Sequence, residues 1–319
     1  MMKKRVLFLT GILLMLSALA ARAEGQRFAY VVSDQRIPFW NIMWRGVEYQ
    51  ALEQGDEAIV LSADNSAKKE LENMVQAIRD KVDGIVLSPT NSSAAVTLLK
   101  LADQANIPVV IADIGTQGGE YVSYIESDNE AGAYQLGQIL AKTFEQRSIS
   151  GSVGIIAIPQ TRQNGKLRTQ GFLRALNESG IASAYIHQQN DFSYQETLDF
   201  SRDLIRRNPD LKAIWLQGSE RYQAALDAIR EADKEGEILL ICFDAEPEFI
   251  DMIQNQQLVA AGMQQPFLMG SQAVRSLGQH LAGQPVPRRQ QLEVLAVSKG
   301  NIARLLPVIR RNVLGLAKD

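Results

Sequence analysis

Short apolar runs rich in Val and Ile recur along this chain with helical periods between them. Residues 28–33, 58–62, 84–88 and 108–113 form one series, and residues 152–158, 184–187, 213–217 and 238–244 form a second. None of these runs alternates polar with apolar. That pattern suits strands buried on both faces of a parallel sheet. Leu71, Met74, Val75 and Ile78 fall on one helical stripe between two such runs, and Leu136, Ile139, Leu140 and Phe144 on another. Repeated strand–helix units predict a parallel, doubly wound sheet. Two series predict an α/β protein of two similar doubly wound parallel-sheet lobes.

The first lobe is expected to end near residues 121–129, where an extended stretch runs into Ser127-Asp128-Asn129 and Asp128 or Asn129 can cap the next helix. The last third holds no third series. Residues 258–264 read as a strand, 267–281 as a helix and 292–297 as a strand, so the chain is expected to cross between lobes more than once. This divides it into an N-terminal lobe of residues 24–126 and 265–291, a C-terminal lobe of residues 127–264 and 292–301, and a tail of residues 302–319. The tail mixes Arg304, Arg310, Arg311 and Lys318 with Leu and Val. It reads as a terminal helix packed on its own lobe, or as a docking helix. Several strands crossing together make a hinge, and hinged lobes close around ligands.

The N-terminus reads as an export leader. Lys3, Lys4 and Arg5 precede an apolar stretch from Val6 to Leu19, and Ala21-Arg22-Ala23 ends it with small residues at the cleavage positions. The apolar stretch is shorter than the ~20 residues a membrane span needs. Cleavage after Ala23 is expected, and no Cys follows to carry a lipid. The single Cys242 lies in an apolar run and cannot form an internal disulfide. Export without disulfides fits a Gram-negative periplasm. The whole chain carries 33 basic and 36 acidic residues. Losing Lys3, Lys4, Arg5 and Arg22 with the leader leaves 29 basic against 36 acidic, a net charge of −7. A chain of that balance is not expected to bind nucleic acid.

No enzyme signature is present: no phosphate loop, nucleophile elbow or zinc helix. His187 and His280 lie in unrelated segments, so each is expected to be structural or superficial, and no metal or cofactor is expected. Polar residues instead gather at strand ends, where open α/β sheets bind ligands. Phe39 and Trp40 follow the first strand directly and could floor a pocket, or could equally belong to the core at a helix start. Asp113 and Asp244 end the fourth strand of each series. Lys166 and Arg168 lie in the first turns after Pro159, and Gln264 and Gln265 precede Pro266 at an expected crossing. Carboxylates accept from neighbouring hydroxyls, and aromatic faces stack on a ring's C–H face. The set suits one small polyhydroxylated ring.

In this order and spacing the segments resemble the periplasmic sugar-binding proteins of the ribose-binding type, which are related to the ligand domains of lactose-repressor-like regulators. The resemblance covers residues 28–297. It rests on Val31-Val32-Ser33 with Pro38-Phe39-Trp40, on residues 105–113, on Ser127-Asp128-Asn129, and on Phe243-Asp244 with Gln264. It implies stacking aromatics at Phe39, Trp40 and Phe192, hydroxyl-binding carboxylates at Asp113 and Asp244, a hinge-side Gln264, and a cation at Lys166 where the family has arginine. Ser33 falls in the same first-strand motif. Ile37, Ile114 and Gly218-Ser219 replace polar family residues, which argues against ribose itself and for a less polar sugar, a modified sugar or another small polar ring. Arg36 and Gln217 are candidates to restore lost contacts, and Arg168 is a further candidate ligand residue. The implied role is a monomer that closes on a sugar-like ligand and presents it to the permease of an ATP-driven importer. The alternative is a sensor facing a membrane histidine kinase or chemoreceptor. The leader, and the lack of a helix-turn-helix, disfavour a DNA-binding regulator.

Overall fold

The computed structural model describes residues 25–316; the leader with its cleavage site and Lys318 fall outside them. Twelve strands among the described residues form two six-stranded sheets. The first sheet has the order β11-β5-β4-β3-β1-β2 and the second β12-β10-β9-β8-β6-β7. Its members are β1 (Arg27–Val32), β2 (Glu57–Ser62), β3 (Gly84–Ser88), β4 (Val109–Ala112), β5 (Ser123–Ser127) and β11 (Arg289–Leu292). The second holds β6 (Ser152–Ala157), β7 (Ser183–Gln188), β8 (Leu211–Leu216), β9 (Leu239–Phe243), β10 (Ala260–Met263) and β12 (Leu295–Ser298). Each order is the other's with elements exchanged one for one. They differ at the edge: β11 runs parallel to β5, and β12 antiparallel to β10.

The helices are α1 (Pro38–Gln54), α2 (Ala67–Arg79), α3 (Ala94–Gln104), α4 (Asn129–Gln146), α5 (Gln163–Glu178), α6 (Tyr194–Arg207), α7 (Tyr222–Glu231), α8 (Phe249–Gln254), α9 (Pro266–Leu281) and α10 (Ile302–Val308). Apolar side chains fill both faces of each sheet: Phe28, Tyr30 and Val86 with Met43 on one face of the first, Val31, Ile85 and Ile111 with Met74 on the other. This is why the central strands read as unbroken apolar runs.

The lobes interleave. After β5 the chain leaves the first sheet, and α4 packs against β9, β10 and β12 of the second. After β10 it returns, and α9 packs against β3, β4 and β5. The third crossing separates β11 from β12. The stretch 292–297, expected as one strand, is the end of β11, a break at Glu293-Val294, and then β12. Both halves pair with strand partners in different sheets, so the run cannot stay in one line. The crossings brace one another: the Asp128 N–H donates to the Leu292 carbonyl (2.8 Å), and Gln265 Nε2 donates to the Glu293 carbonyl (2.9 Å).

Two close helix contacts depend on glycine. A Cβ on Gly46 of α1 would lie 2.1 Å from the Phe267 carbonyl oxygen of α9, and one on Gly270 of α9 would lie 2.1 Å from that of Met43 on α1. The α4–α5 pair repeats the device, with Gly171 meeting the Glu130 carbonyl at 2.1 Å.

One reading needs correction. Leu71 is 40% exposed; the inward face of α2 is Glu70, Asn73, Met74 and Ala77. Glu70 turns in because its carboxylate accepts from the Thr90 N–H (2.6 Å) and hydroxyl (3.0 Å), anchoring the loop after β3. The terminal segment does more than cover its own lobe. Ile302, Ile309, Val313 and Leu314 join the core beside β9 and β12, while Arg45 of α1 donates to the Leu314 carbonyl (2.8 Å). A π turn at Ile309–Val313, just past Pro307, brings it there.

Candidate functional site

The cleft between the lobes is lined at the carboxyl ends of seven strands. It holds about 500 Å3 of non-atom space, counting its open mouth. The first sheet contributes Ile37, Pro38, Phe39 and Trp40 beyond β1 and Asp113 beyond β4. The second contributes Ile158, Arg162, Asn164 and Arg168 beyond β6, Phe192 beyond β7, Gly218, Ser219 and Glu220 beyond β8, Asp244 and Glu246 beyond β9, and Gln264 beyond β10.

Local conformation places these groups. Pro38 starts α1 without needing an N–H, so Phe39 and Trp40 turn off the end of β1 in the first helical turn. Their rings meet edge to face at 4.8 Å. Trp40 is both cleft wall and core, which joins the two alternatives the sequence left open. Asp113 and Asp244 occupy equivalent places in the two lobes, and both are left-handed, with φ of 66° and 67°. Each N–H still bonds the next strand, to Ile125 and to Gly262, both at 2.9 Å. Aspartate tolerates this conformation better than most residues, and the turn ends each strand at the cleft. Phe192, also left-handed at φ 57°, faces the Arg162 guanidinium at 5.5 Å.

The two walls touch: Asn164 Nδ2 donates to Asp113 Oδ2 at 3.3 Å. Arg168 is buried and ties four elements together. It donates to Asn129 Oδ1 (2.7 Å) and to the Gln217 carbonyl (2.6 Å), lies 3.5 Å from Asp244 Oδ2, and sits 4.0 Å over the Phe243 ring. Gln264 donates to Asp244 Oδ1 at 2.5 Å. What is left over is informative. Asp113 Oδ1 and Gln264 Oε1 are buried acceptors with no donor. Among the described residues, no acceptor reaches the Arg162 guanidinium. Buried polar atoms left unpaired cost roughly 1–3 kcal/mol each, so the cleft is built for a guest that supplies the missing partners.

Of the residues singled out in the sequence, Phe39, Trp40, Asp113, Arg168, Phe192, Asp244 and Gln264 line this cleft together. Four do not. Lys166 is exposed: α5 begins at Gln163, so residues 164, 165 and 168 face inward and 166 faces water. Arg36 is 70% exposed and locked by Asp34 through two bonds of 2.8 and 2.7 Å. Ser33 is buried at the end of β1, its carbonyl accepting from Asn65 at 2.7 Å. Gln217 is fully buried behind the wall, its side chain bridging the Ile158 N–H and the Thr169 hydroxyl. Sequence reasoning passed over Arg162, Asn164, Glu220 and Glu246, and took Ser219, which lines the cleft, only as a lost polar contact. The strand-end rule could have found all but Asn164, which lies inside α5, seven residues past the end of β6. His187 pairs with Asp203 at 3.0 Å on the outer edge, and His280 is exposed on α9, both away from the cleft.

Burial pushes the Asp113 carboxyl up to about 6 and the Glu246 carboxyl up to about 7. Arg168 opposes the shift at Asp113, and the Ser219 hydroxyl opposes it at Glu246. A carboxyl that ionises at higher pH folded than unfolded holds extra protons in the folded state between the two values. Its contribution to stability therefore falls as pH rises through that window. Ligand-free protein is expected to melt at a higher temperature at pH 5.5 than at pH 8, with the decline levelling off only as pH passes through about 7, where Glu246 ionises. The ion-paired Asp64, Asp203 and Asp227 are shifted downward and act below that window. A melting temperature that climbs steadily from pH 5.5 to 8 would contradict this.

Comparison with known proteins follows the same lines. The ribose import binding protein of Escherichia coli K12 is 28% identical over 93% of this chain and 99% of its own length. That of Haemophilus influenzae is 27% identical over 93% of this chain and all of its own. Among solved structures, a solute-binding protein from Agrobacterium vitis bound to α-D-tagatopyranose superposes with a TM-score of 0.80 at 24% identity, over 90% of this chain and 99% of its own. One from Actinobacillus succinogenes with bound D-allose gives 0.81 at 20% identity, over 88% of this chain and 99% of its own. These likenesses establish the fold. Residues 28–285 match the periplasmic binding protein domain, and the chain belongs to that family.

Proposed function

We propose that the chain captures a small sugar or sugar-like molecule by closing its lobes, and delivers it to the permease of an ATP-driven importer. It does so as a monomer in the periplasm, after removal of residues 1–23. The observation that carries this reading is the pair of donorless buried acceptors, Asp113 Oδ1 and Gln264 Oε1, beside the rings of Phe39, Trp40 and Phe192. A polyhydroxylated ring supplies hydroxyl donors at its edge and C–H faces for the aromatics. Arg162 offers a planar fork of donors to hydroxyl oxygens.

The relatives support import: they are named for ribose import, and a D-allose-binding periplasmic protein of E. coli is 25% identical over 84% of this chain. They are binding proteins, and the reading contains no chemical step. The sensor alternative has no comparable support. Lobe closure is productive because the guest contacts both walls, so it binds the closed form more tightly than the open one.

A thermal-shift screen of monosaccharides and polyols tests the reading. A true ligand at a hundred times its Kd adds about 2.7 kcal/mol, which for a chain this size raises the melting temperature by roughly 5 °C. The same ligand should reduce the radius of gyration in solution scattering. If no polyol stabilises the protein, the sugar assignment fails; if one stabilises it with no change in radius, closure fails.

A further inference from the structure

The cleft holds more acid than base. Asp113, Glu220, Asp244 and Glu246 line it against Arg162 and Arg168. Arg168 is committed to Asp244, Asn129 and Gln217. The charges acting on Arg162 include Asp113 and Glu220. Glu246 has no cation. Its side-chain partner is the Ser219 hydroxyl at 2.8 Å, and the charged groups acting on it are Glu220, Glu248 and Asp244, all acids. Glu220 folds back over Gly218 with no donor but its own N–H. Arg221 and Arg168 act on Glu220 and partly offset its burial, but Arg221 is held by the Phe192 and Glu220 carbonyls and does not line the cleft.

Closing the lobes on a neutral guest would seal in the surplus negative charge, and buried unpaired charge is costly. Two remedies exist: a carboxyl takes up a proton, or the guest brings a positive charge. Resting on the reading of the cleft as a polyol site, we propose that the guest is an aminated polyol, an amino sugar. Its ammonium seats against Glu246 and Glu220 on the C-terminal lobe, and its hydroxyls donate to Asp113 Oδ1 and Gln264 Oε1. An ammonium has three donors and no acceptor, which fits a wall of carboxylates. The same group is attracted to the nearby aromatic faces. The upward displacement of the Glu246 carboxyl is what such a wall shows before its cation arrives.

Calorimetric titration at pH 7.0 decides it, with D-glucosamine, D-galactosamine and D-mannosamine each compared with its neutral parent and its N-acetyl derivative. At least one amine should bind about tenfold tighter than both, the worth of one charge-assisted hydrogen bond. That preference should shrink about tenfold in Glu246→Gln or Glu220→Gln, variants whose melting curves show whether they fold. A second measurement needs no variant. Repeating the titration in buffers of different ionisation enthalpy should show proton uptake on binding a neutral parent and proton release on binding the amine, because Glu246 ionises to meet the ammonium. If neutral parents bind as tightly as amines with no proton uptake, the charge argument is overturned while the sugar reading stands. If neither kind binds, both fall.

Discussion

Asp113→Asn is expected to bind its polyol at least tenfold more weakly, and up to about a hundredfold. The substitution keeps the side chain's shape and suits the left-handed backbone at φ 66°. It changes only what the atoms offer. Where Oδ1 now waits for a donor, one end of the amide presents hydrogens, and a guest hydroxyl there loses its acceptor. Arg162 loses the charge across from it as well. Asp113→Ala should lose as much or more, with added strain because alanine is poorly suited to positive φ. The ligand-free proteins should behave in the opposite way. Asp113 is buried with an unpaired oxygen, so removing its charge relieves a cost that serves binding rather than folding. Asp113→Asn should therefore melt at or above the wild-type temperature at pH 8. Titration calorimetry and melting curves on the same samples check both halves. Wild-type affinity in both variants would remove Asp113 from the site.

The largest loss of stability is expected from Gly46→Ala. The new methyl would sit 2.1 Å from the Phe267 carbonyl oxygen, far inside contact distance, and that oxygen is part of a helix. Neither α1 nor α9 can yield without moving as a unit. Overpacking of this kind costs about 1–3 kcal/mol, and rigid backbone on both sides puts this case at the upper end. The melting temperature should fall by roughly 5 °C. Gly270→Ala should do the same through the Met43 carbonyl. The double variant should lose less than the two losses added, because helices already pushed apart receive the second methyl more cheaply. Gly55→Ala is the control: nothing lies within 4 Å of its missing Cβ, and only its φ of 77° is strained. A Gly46→Ala protein that melts within a degree of wild type would mean that α1 and α9 are not in this contact.

Much of the fold was legible because burial on both faces leaves a strand no choice but apolar residues. β3 begins and ends where its run of Val, Ile and Leu does, and β1, β4, β6 and β9 differ from their runs only at the ends. The edges were harder. β11 is polar and exposed in alternation and was missed but for Leu292, while β12 follows it after two residues and was read as starting at 292. Nothing local distinguishes two short strands in different sheets from one in either. The site divides along the same line. Asp113, Asp244 and Gln264 could be placed because they terminate strands. Lys166 and Arg36 were misplaced because a helix's starting residue, or a neighbouring Asp34, decides which way a long cation points. Arg162 and Glu246 went unremarked because their identities are ordinary and only the convergence of separate loops gives them meaning.

The exchange of helices between sheets has a consequence for synthesis. No contiguous half of the polypeptide contains a complete layered unit. A nascent chain that has emerged only as far as Ser127 possesses five strands but lacks α9, so Val86, Val110 and Ile125 stay uncovered until residue 281 appears. Truncated products ending between those points should be sticky and chaperone-dependent rather than soluble miniatures of the whole.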